Sequence, residues 1–289
     1  MEESRKVTIV EVGPRDGLQN EKAKISTRDK LALIRMLSEA GFSRIEATAF
    51  VSPKWVPQMA DHDAVMRGAQ RRPGLLLSAL VPNEKGAVAA IAAGAQELAV
   101  FASASETFAE KNTNCTIAES IARFRPVLAL AGQHGLPVRG YVSCAVDCPY
   151  EGAVAPEAVR DVCERLLEIG CSEVAVADTI GRATPARTDR MLSTVMKSVV
   201  AERLACHFHD TSGMALANID IALAGGIRVF DSAAGGLGGC PYAPGAAGNL
   251  ASGRLVRHLS DRGFVHGVNS EALERAEQFA ARLRLAARD

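Results

Sequence analysis

The sequence predicts an α/β fold, a closed (β/α)8 TIM barrel with one additional C-terminal helix. Three observations carry the prediction. Short apolar runs alternate with longer helical patterns eight times over about 260 residues, the rhythm of a parallel sheet whose strands are joined by helices. Glycine closes many of the helical patterns, at Gly41, Gly94, Gly135, Gly170 and Gly226, where a C-terminal cap turns left-handed. No glycine-rich phosphate turn follows the first strand, although an open dinucleotide-binding sheet would usually show one.

Taken in order, the strand-like runs cover residues 7–12, 44–48, 75–81, 97–102, 138–144, 173–177, 201–208 and 227–232. The helical patterns between them cover 27–40, 61–71, 84–93, 117–134, 156–170, 185–200, 214–224 and 249–262. Residues 270–288 read as one more amphipathic helix, packed on the barrel or on a second copy. Apolar positions on that helix lead to the expectation of a homodimer. No linker or low-complexity stretch divides the chain, so residues 1–289 are expected to form one catalytic domain.

Composition narrows the function. Among the 289 residues, 33 basic and 33 acidic side chains cancel. There is no basic excess for nucleic acid or an anionic membrane surface. Apolar residues make up 48% and aromatics only 4%, so the core must be aliphatic. The seven cysteines are odd in number and fall mostly in apolar runs. No apolar leader precedes the first strand, and no run of 18 apolar residues exists. The expectation is a reduced, cytoplasmic protein with free thiols and no membrane span.

In such a barrel the chemistry sits at the C-terminal ends of the strands. Those ends carry Arg15 and Asp16, Glu46, Tyr141 and Ser143, Asp178 and Thr179, and His207 and His209. Cys240 and Asn249 follow in the loop after the eighth strand. Residues two apart on a strand share a face, so His207 and His209 aim two imidazoles at one point, as a divalent ion requires. Asp16 can add a carboxylate and Asn249 an amide oxygen, which leaves open positions for a substrate on an octahedral ion, Mg²⁺ or Mn²⁺ first, with Co²⁺ and Zn²⁺ as alternatives. Arg15 places a fixed positive charge beside them. Glu46 anchors Arg15 or moves a proton. Cys240, in a run with four glycines in five residues, is a candidate acid or base on a closing loop. Arg15, Tyr141, Ser143, Asp178 and Thr179 are the candidates to contact substrate. Plainer roles stand beside these: Asp16 as a turn residue, Asn249 as a helix cap, Arg15 as a surface ion pair.

The segments VGPRDGLQNE (12–21), TAFVSPKWVPQMADH (48–62), GYVSCAVDCPYEG (140–152), ADTIGRATP (177–185), HFHDTSG (207–213) and GLGGCPYAPGAAGNLA (236–251) resemble the 3-hydroxy-3-methylglutaryl-CoA lyases. The likeness runs in order along nearly the whole chain. It implies that Asp16, His207, His209 and Asn249 hold a divalent ion, and that Arg15, Asp16, Glu46, His207 and Cys240 act in catalysis. It also implies a CoA thioester substrate, cleaved to acetyl-CoA and acetoacetate, as in leucine breakdown and ketone-body formation or in terpenoid breakdown. Ala49, Phe208, Ser212 and Met214 depart from the family pattern and bear on the fit of the acyl group. The alternatives are a lyase for a longer 3-hydroxyglutaryl-CoA and a synthase condensing acetyl-CoA with an oxo acid.

Overall fold

Eight parallel strands close into a barrel in the order β1-β8-β7-β6-β5-β4-β3-β2. They are β1 (Thr8–Glu11), β2 (Arg44–Ala49), β3 (Leu76–Leu80), β4 (Glu97–Ser103), β5 (Val138–Ser143), β6 (Glu173–Asp178), β7 (Leu204–Phe208) and β8 (Val229–Ser232). The computed structural model describes residues 5–21, 23–238 and 248–285. Helices cover the barrel: α1 (Thr27–Glu39), α2 (His62–Gly68), α3 (Glu84–Ala92), α4 (Glu106–Thr113), α5 (Ile117–Gln133), α6 (Pro156–Glu168), α7 (Pro185–Val195), α8 (Ala215–Ala224), α9 (Ser252–Asp261) and α10 (Ser270–Leu285). Among the described residues no helix is long and apolar enough to cross a membrane.

Local chemistry sets the helix ends. Ser26, Asn83, Ser105 and Thr184 accept backbone N–H groups as N-caps, and Thr116 forms a reciprocal capping box with Glu119. The five glycines expected past helix ends all have positive φ. At Gly41 a Cβ would also meet the Gly267 carbonyl oxygen at 2.4 Å.

The structure departs from the expected pattern where side chains override periodicity. Helix α7 ends at Val195 rather than at residue 200, and a short 3-10 turn, Ala201–Arg203, precedes β7. Arg203 fixes that turn by donating to the carbonyls of Ser172 and Cys171 at 2.5 and 2.6 Å. Helix α9 starts at Ser252, not at 249, because Asn249 is held extended against His209. Helix α4 and the small hairpin Asp147–Cys148 with Gly152–Ala153 were not expected from the periodicity. On α10, Leu273, Ala276, Ala280 and Leu283 are buried against the chain's own α1, α9 and the turn after β8. The apolar face that suggested a homodimer is thus spent within one chain.

Strand β1 works on both faces. Val10 pairs in register with Asp231 on the inner side, while Glu11 turns outward beneath α9. Glu11 Oε1 accepts the amides of Gly13 and Ala234 at 2.8 and 3.0 Å, and Oε2 accepts the Ser252 hydroxyl at 2.6 Å. The one carboxylate therefore ties the end of β1, the turn after β8 and the start of α9. Burial pushes its pKa up to about 7, against those hydrogen bonds and with help from Glu277. The folded state thus holds a proton that the unfolded chain releases near 4.5, so this contribution is present below pH 4.5 and is lost as pH rises through 7. A Glu11→Gln variant should flatten the decline in unfolding free energy between pH 4.5 and 7, by up to about 3 kcal/mol, in urea titrations. An unchanged slope would assign the decline to other groups.

Candidate active site

Beyond β1 the chain makes one wide π-helical turn, Gly13–Gly17. The amides of Arg15, Asp16 and Gly17 all converge on the Val12 carbonyl, at 3.2, 2.8 and 3.2 Å. This turn carries Arg15 and Asp16 over the barrel mouth. It is packed too tightly for side chains on its flank, since a Cβ on Gly17 would lie 2.6 Å from that of Leu237. On the other side, the segment returning from the β8 loop is stitched to β7. Asp210 N donates to Gly248 O at 2.7 Å and Leu250 N to Phe208 O at 3.2 Å. Asn249 is thereby set beside His209.

At the end of β7 the rings of His207 and His209 come within 5.3 Å, centroid to centroid. Ligand atoms of Asp16, His207 and His209 all lie within 4.8 Å of one another. Asn249 joins them through its amide nitrogen, which donates to Asp16 Oδ2 at 2.7 Å and to Leu237 O at 3.1 Å. In this arrangement Asn249 steadies Asp16, and its oxygen is turned from the cluster.

A chain of buried polar contacts starts at Asp16 and comes back to it. Arg15 Nη1 meets Asp16 Oδ1 at 2.6 Å, and Arg15 Nε donates to Glu46 Oε1. Tyr141 donates to Glu46 Oε2 at 3.0 Å and accepts from Arg139 Nη1 at 2.9 Å. Arg139 forks onto Asp231, Nη1 to Oδ2 at 3.0 Å and Nη2 to Oδ1 at 2.7 Å. Asp231 Oδ2 meets His207 Nδ1 at 3.0 Å, and His207 Nε2 faces Asp16 Oδ2 at 3.9 Å.

The charges follow from this closure. Burial opposes the charge on Asp16, but Arg15, His207 and His209 hold its carboxyl well below the usual range. Burial likewise opposes Arg15, yet Glu46 and Asp16 keep its guanidinium firmly protonated. For His207, the bond and charge of Asp231 outweigh burial and raise the pKa. His209 is pushed down to about 4 by burial and by His207, so it is neutral and free to donate a lone pair.

Arg15, Asp16, Glu46, Tyr141, His207, His209 and Asn249 therefore meet at one place. Ser143 shares the inward face of β5 with Tyr141 and lies half-buried. Asp178 and Thr179, expected to contact substrate, hold loop backbone. The Asp178 carboxylate accepts the amides of Arg182 and Ala183 at 3.2 and 2.8 Å, and Thr179 Oγ1 accepts the Cys144 amide at 2.8 Å. Asp178 thus fixes its own loop, and Thr179 fixes the loop after β5. Cys240 lies outside the described residues. Asp210, next to His209, takes Ala215 N and Arg254. Asp231 holds His207. Its signal was a lone acid inside the apolar run 227–232, a position that demands a buried cation.

A family model described as HMGL-like matches residues 6–280. The chain belongs to the HMGL-like family. Human mitochondrial hydroxymethylglutaryl-CoA lyase is 54% identical over 275 residues, covering 95% of this chain and 85% of the human protein. The crystal structure of HMG-CoA lyase from Brucella melitensis is 54% identical with a TM-score of 0.96, over 97% of this chain and 99% of that one. The HMG-CoA lyase from Acinetobacter baumannii, solved with coenzyme A and 3-methylmalate, is 38% identical with a TM-score of 0.92, over 97% and 92%.

The donor set of this HMGL-like chain fits a divalent cation. It offers one carboxylate and two imidazoles, and His209 Nδ1 is buried with no hydrogen-bond partner among the described residues. Because Tyr141 joins the two halves of the ring, Tyr141→Phe leaves Glu46 and Arg139 each one contact short. The variant should lose about 1–3 kcal/mol of unfolding free energy in urea. A loss within experimental error would mean that the ring closes without the hydroxyl.

Proposed function

We propose that this chain is a divalent-metal-dependent carbon–carbon lyase cleaving 3-hydroxy-3-methylglutaryl-CoA to acetyl-CoA and acetoacetate. What carries the proposal is Arg15 fixed beside the Asp16, His207 and His209 cluster at the mouth of an HMGL-like barrel. The named activity of relatives 54% identical over nearly the whole chain supports the substrate. When bound, Mg²⁺ or Mn²⁺ supplies a Lewis acid that lowers the pKa of the substrate's tertiary hydroxyl. Asn249 joins the ligand set if its amide turns about its last bond to present oxygen.

The residues divide the remaining work. Loss of the hydroxyl proton lets the bond between the carbinol carbon and the thioester's α-carbon break. The carbinol carbon becomes the ketone of acetoacetate, and the electron pair passes into a thioester enolate. Arg15, braced on Nε by Glu46 and on Nη1 by Asp16, presents its remaining N–H groups to that enolate oxygen. The enolate carbon then takes a proton to give acetyl-CoA. His207 has Nδ1 committed to Asp231 and Nε2 directed to the cation cluster. That favours Cys240 over His207 as the proton donor.

The family-divergent positions support an acyl group of ordinary length. Ala49 and Phe208 are buried, Phe208 on the strand face opposite His207, while Ser212 and Met214 are exposed. The buried free cysteines support a reducing compartment such as the cytoplasm. Release of acetoacetate would place the enzyme at the end of leucine breakdown, where a ketone body forms.

The test is a coupled assay for acetoacetate from 3-hydroxy-3-methylglutaryl-CoA, on chelator-stripped protein and after adding Mg²⁺ or Mn²⁺. Cleavage should return with the ion. Arg15→Gln should lower kcat by about 10²–10³. Cys240→Ser should lose turnover without losing the ion. Folded protein inactive with either ion would overturn the assignment in favour of a longer acyl group or of condensation with an oxo acid.

A further inference from the structure

Asp231 lies on the inner face of β8, 2% exposed, and touches none of the reacting groups described above. Its Oδ2 is shared by His207 Nδ1 at 3.0 Å and Arg139 Nη1 at 3.0 Å, and its Oδ1 takes Arg139 Nη2 at 2.7 Å. We propose that Asp231 is the positioning residue of the cation site: it holds the proton on His207 Nδ1, so that Nε2 keeps its lone pair for the ion. Arg139 is its accessory, keeping both oxygens of Asp231 as acceptors. The proposal rests on the assignment of Asp16, His207 and His209 as ligands.

A neutral imidazole carries one N–H, and the partner of one nitrogen decides the state of the other. A carboxylate gripped by a guanidinium fork can only accept. The proton between Asp231 and His207 therefore belongs to His207 Nδ1. Nε2 is left facing Asp16 Oδ2 across 3.9 Å. The ring is also held laterally, edge-on to Tyr141 with centroids 5.9 Å apart. His209 has no such support, since its Nδ1 is buried and lacks a hydrogen-bond partner among the described residues. One ligand is thus fixed before the ion arrives and the other is adjustable. Arg139 accounts for a carboxylate at Asp231 but not for His207. The guanidinium fork already occupies both oxygens, and nothing in it requires a histidine nitrogen on Oδ2 as well.

The experiment compares Mn²⁺ binding, read by electron paramagnetic resonance of the free ion, for wild type, Asp231→Asn and His207→Ala. Asparagine keeps the shape but cannot accept from His207 and from both arms of Arg139. Asp231→Asn should weaken Mn²⁺ binding by about 10–100-fold. His207→Ala is the control for the ligand assignment. If it loses Mn²⁺ while Asp231→Asn binds within about twofold of wild type, the positioning role is overturned and the ligand set stands. If His207→Ala binds as wild type does, the ligand set itself fails and the proposal with it. Should Asp231→Asn not fold, ¹⁵N spectra of histidine-labelled, Mg²⁺-loaded wild type decide. A proton on His207 Nδ1 with Nε2 shifted by the ion supports the role, and a bare Nδ1 overturns it.

Discussion

A guanidinium that is 1% exposed inside a barrel has no water to fall back on, so Arg139 must be matched by its neighbours. Burial opposes its charge, and Asp231, Tyr141 and Glu173 outweigh that. The requirement spreads outward. Asp231 needs both Arg139 and His207, and Tyr141 spends its hydroxyl between Arg139 and Glu46. Glu46, itself 1% exposed, takes Arg15. One buried charge thereby fixes the residues that face the mouth. A second set lies below, where Arg44 bridges Glu97 and Glu173 at 2.9 and 3.1 Å. Removing one partner from such a network exposes the full desolvation cost of the other, so its members constrain one another strongly.

Room for these long side chains comes from small ones on the neighbouring strands. In register, Arg139 sits beside Ala99, Tyr141 beside Ala175, and His207 beside Ala177. Barrels of this class usually fill their interior with branched aliphatic layers. Here alanine stands beside the guanidinium and the phenol. The branched residues lie instead between strands and helices, as Val100, Val142, Val174 and Val176 do. A core poor in aromatic residues is thus the counterpart of a polar interior, and the packing links composition to chemistry.

Much of this was legible in the sequence. Strand count, helix spacing and the capping glycines depend on local periodicity, and they located the barrel. The pairs Arg15 with Asp16 and His207 with His209 were legible because each is close in sequence and sits at a strand end. Asp178 shows where such inference stops. A strand-end carboxylate can also accept amides of its own loop, as Asp178 does from Arg182 and Ala183, and periodicity does not reveal that bond. Asn249 reads as a helix cap on local grounds, yet an antiparallel bridge to His209 holds it extended. Asp231 was passed over because its partner Arg139 is 92 positions away, a separation that no window of periodicity spans.

The site is built from two loops that share no sequence neighbourhood, the turn after β1 and the return from the β8 loop. Each is anchored twice. On the mouth side, Asn249 Nδ2 joins Asp16 to Leu237. On the helix side, Glu11 joins Gly13 to Ala234 and Ser252. Between these anchors the backbones touch so closely that a Cβ on Gly238, at φ +90°, would lie 2.7 Å from Asn249 Nδ2 and 3.2 Å from the Gly17 Cα. Glycine is required there twice over, for the dihedral and for the space. Displacing Asp16 therefore means disturbing Glu11 and the start of α9 as well. The position of Asp16 is held by the same contacts that close the fold over the end of β1, so this ligand is set by the fold itself.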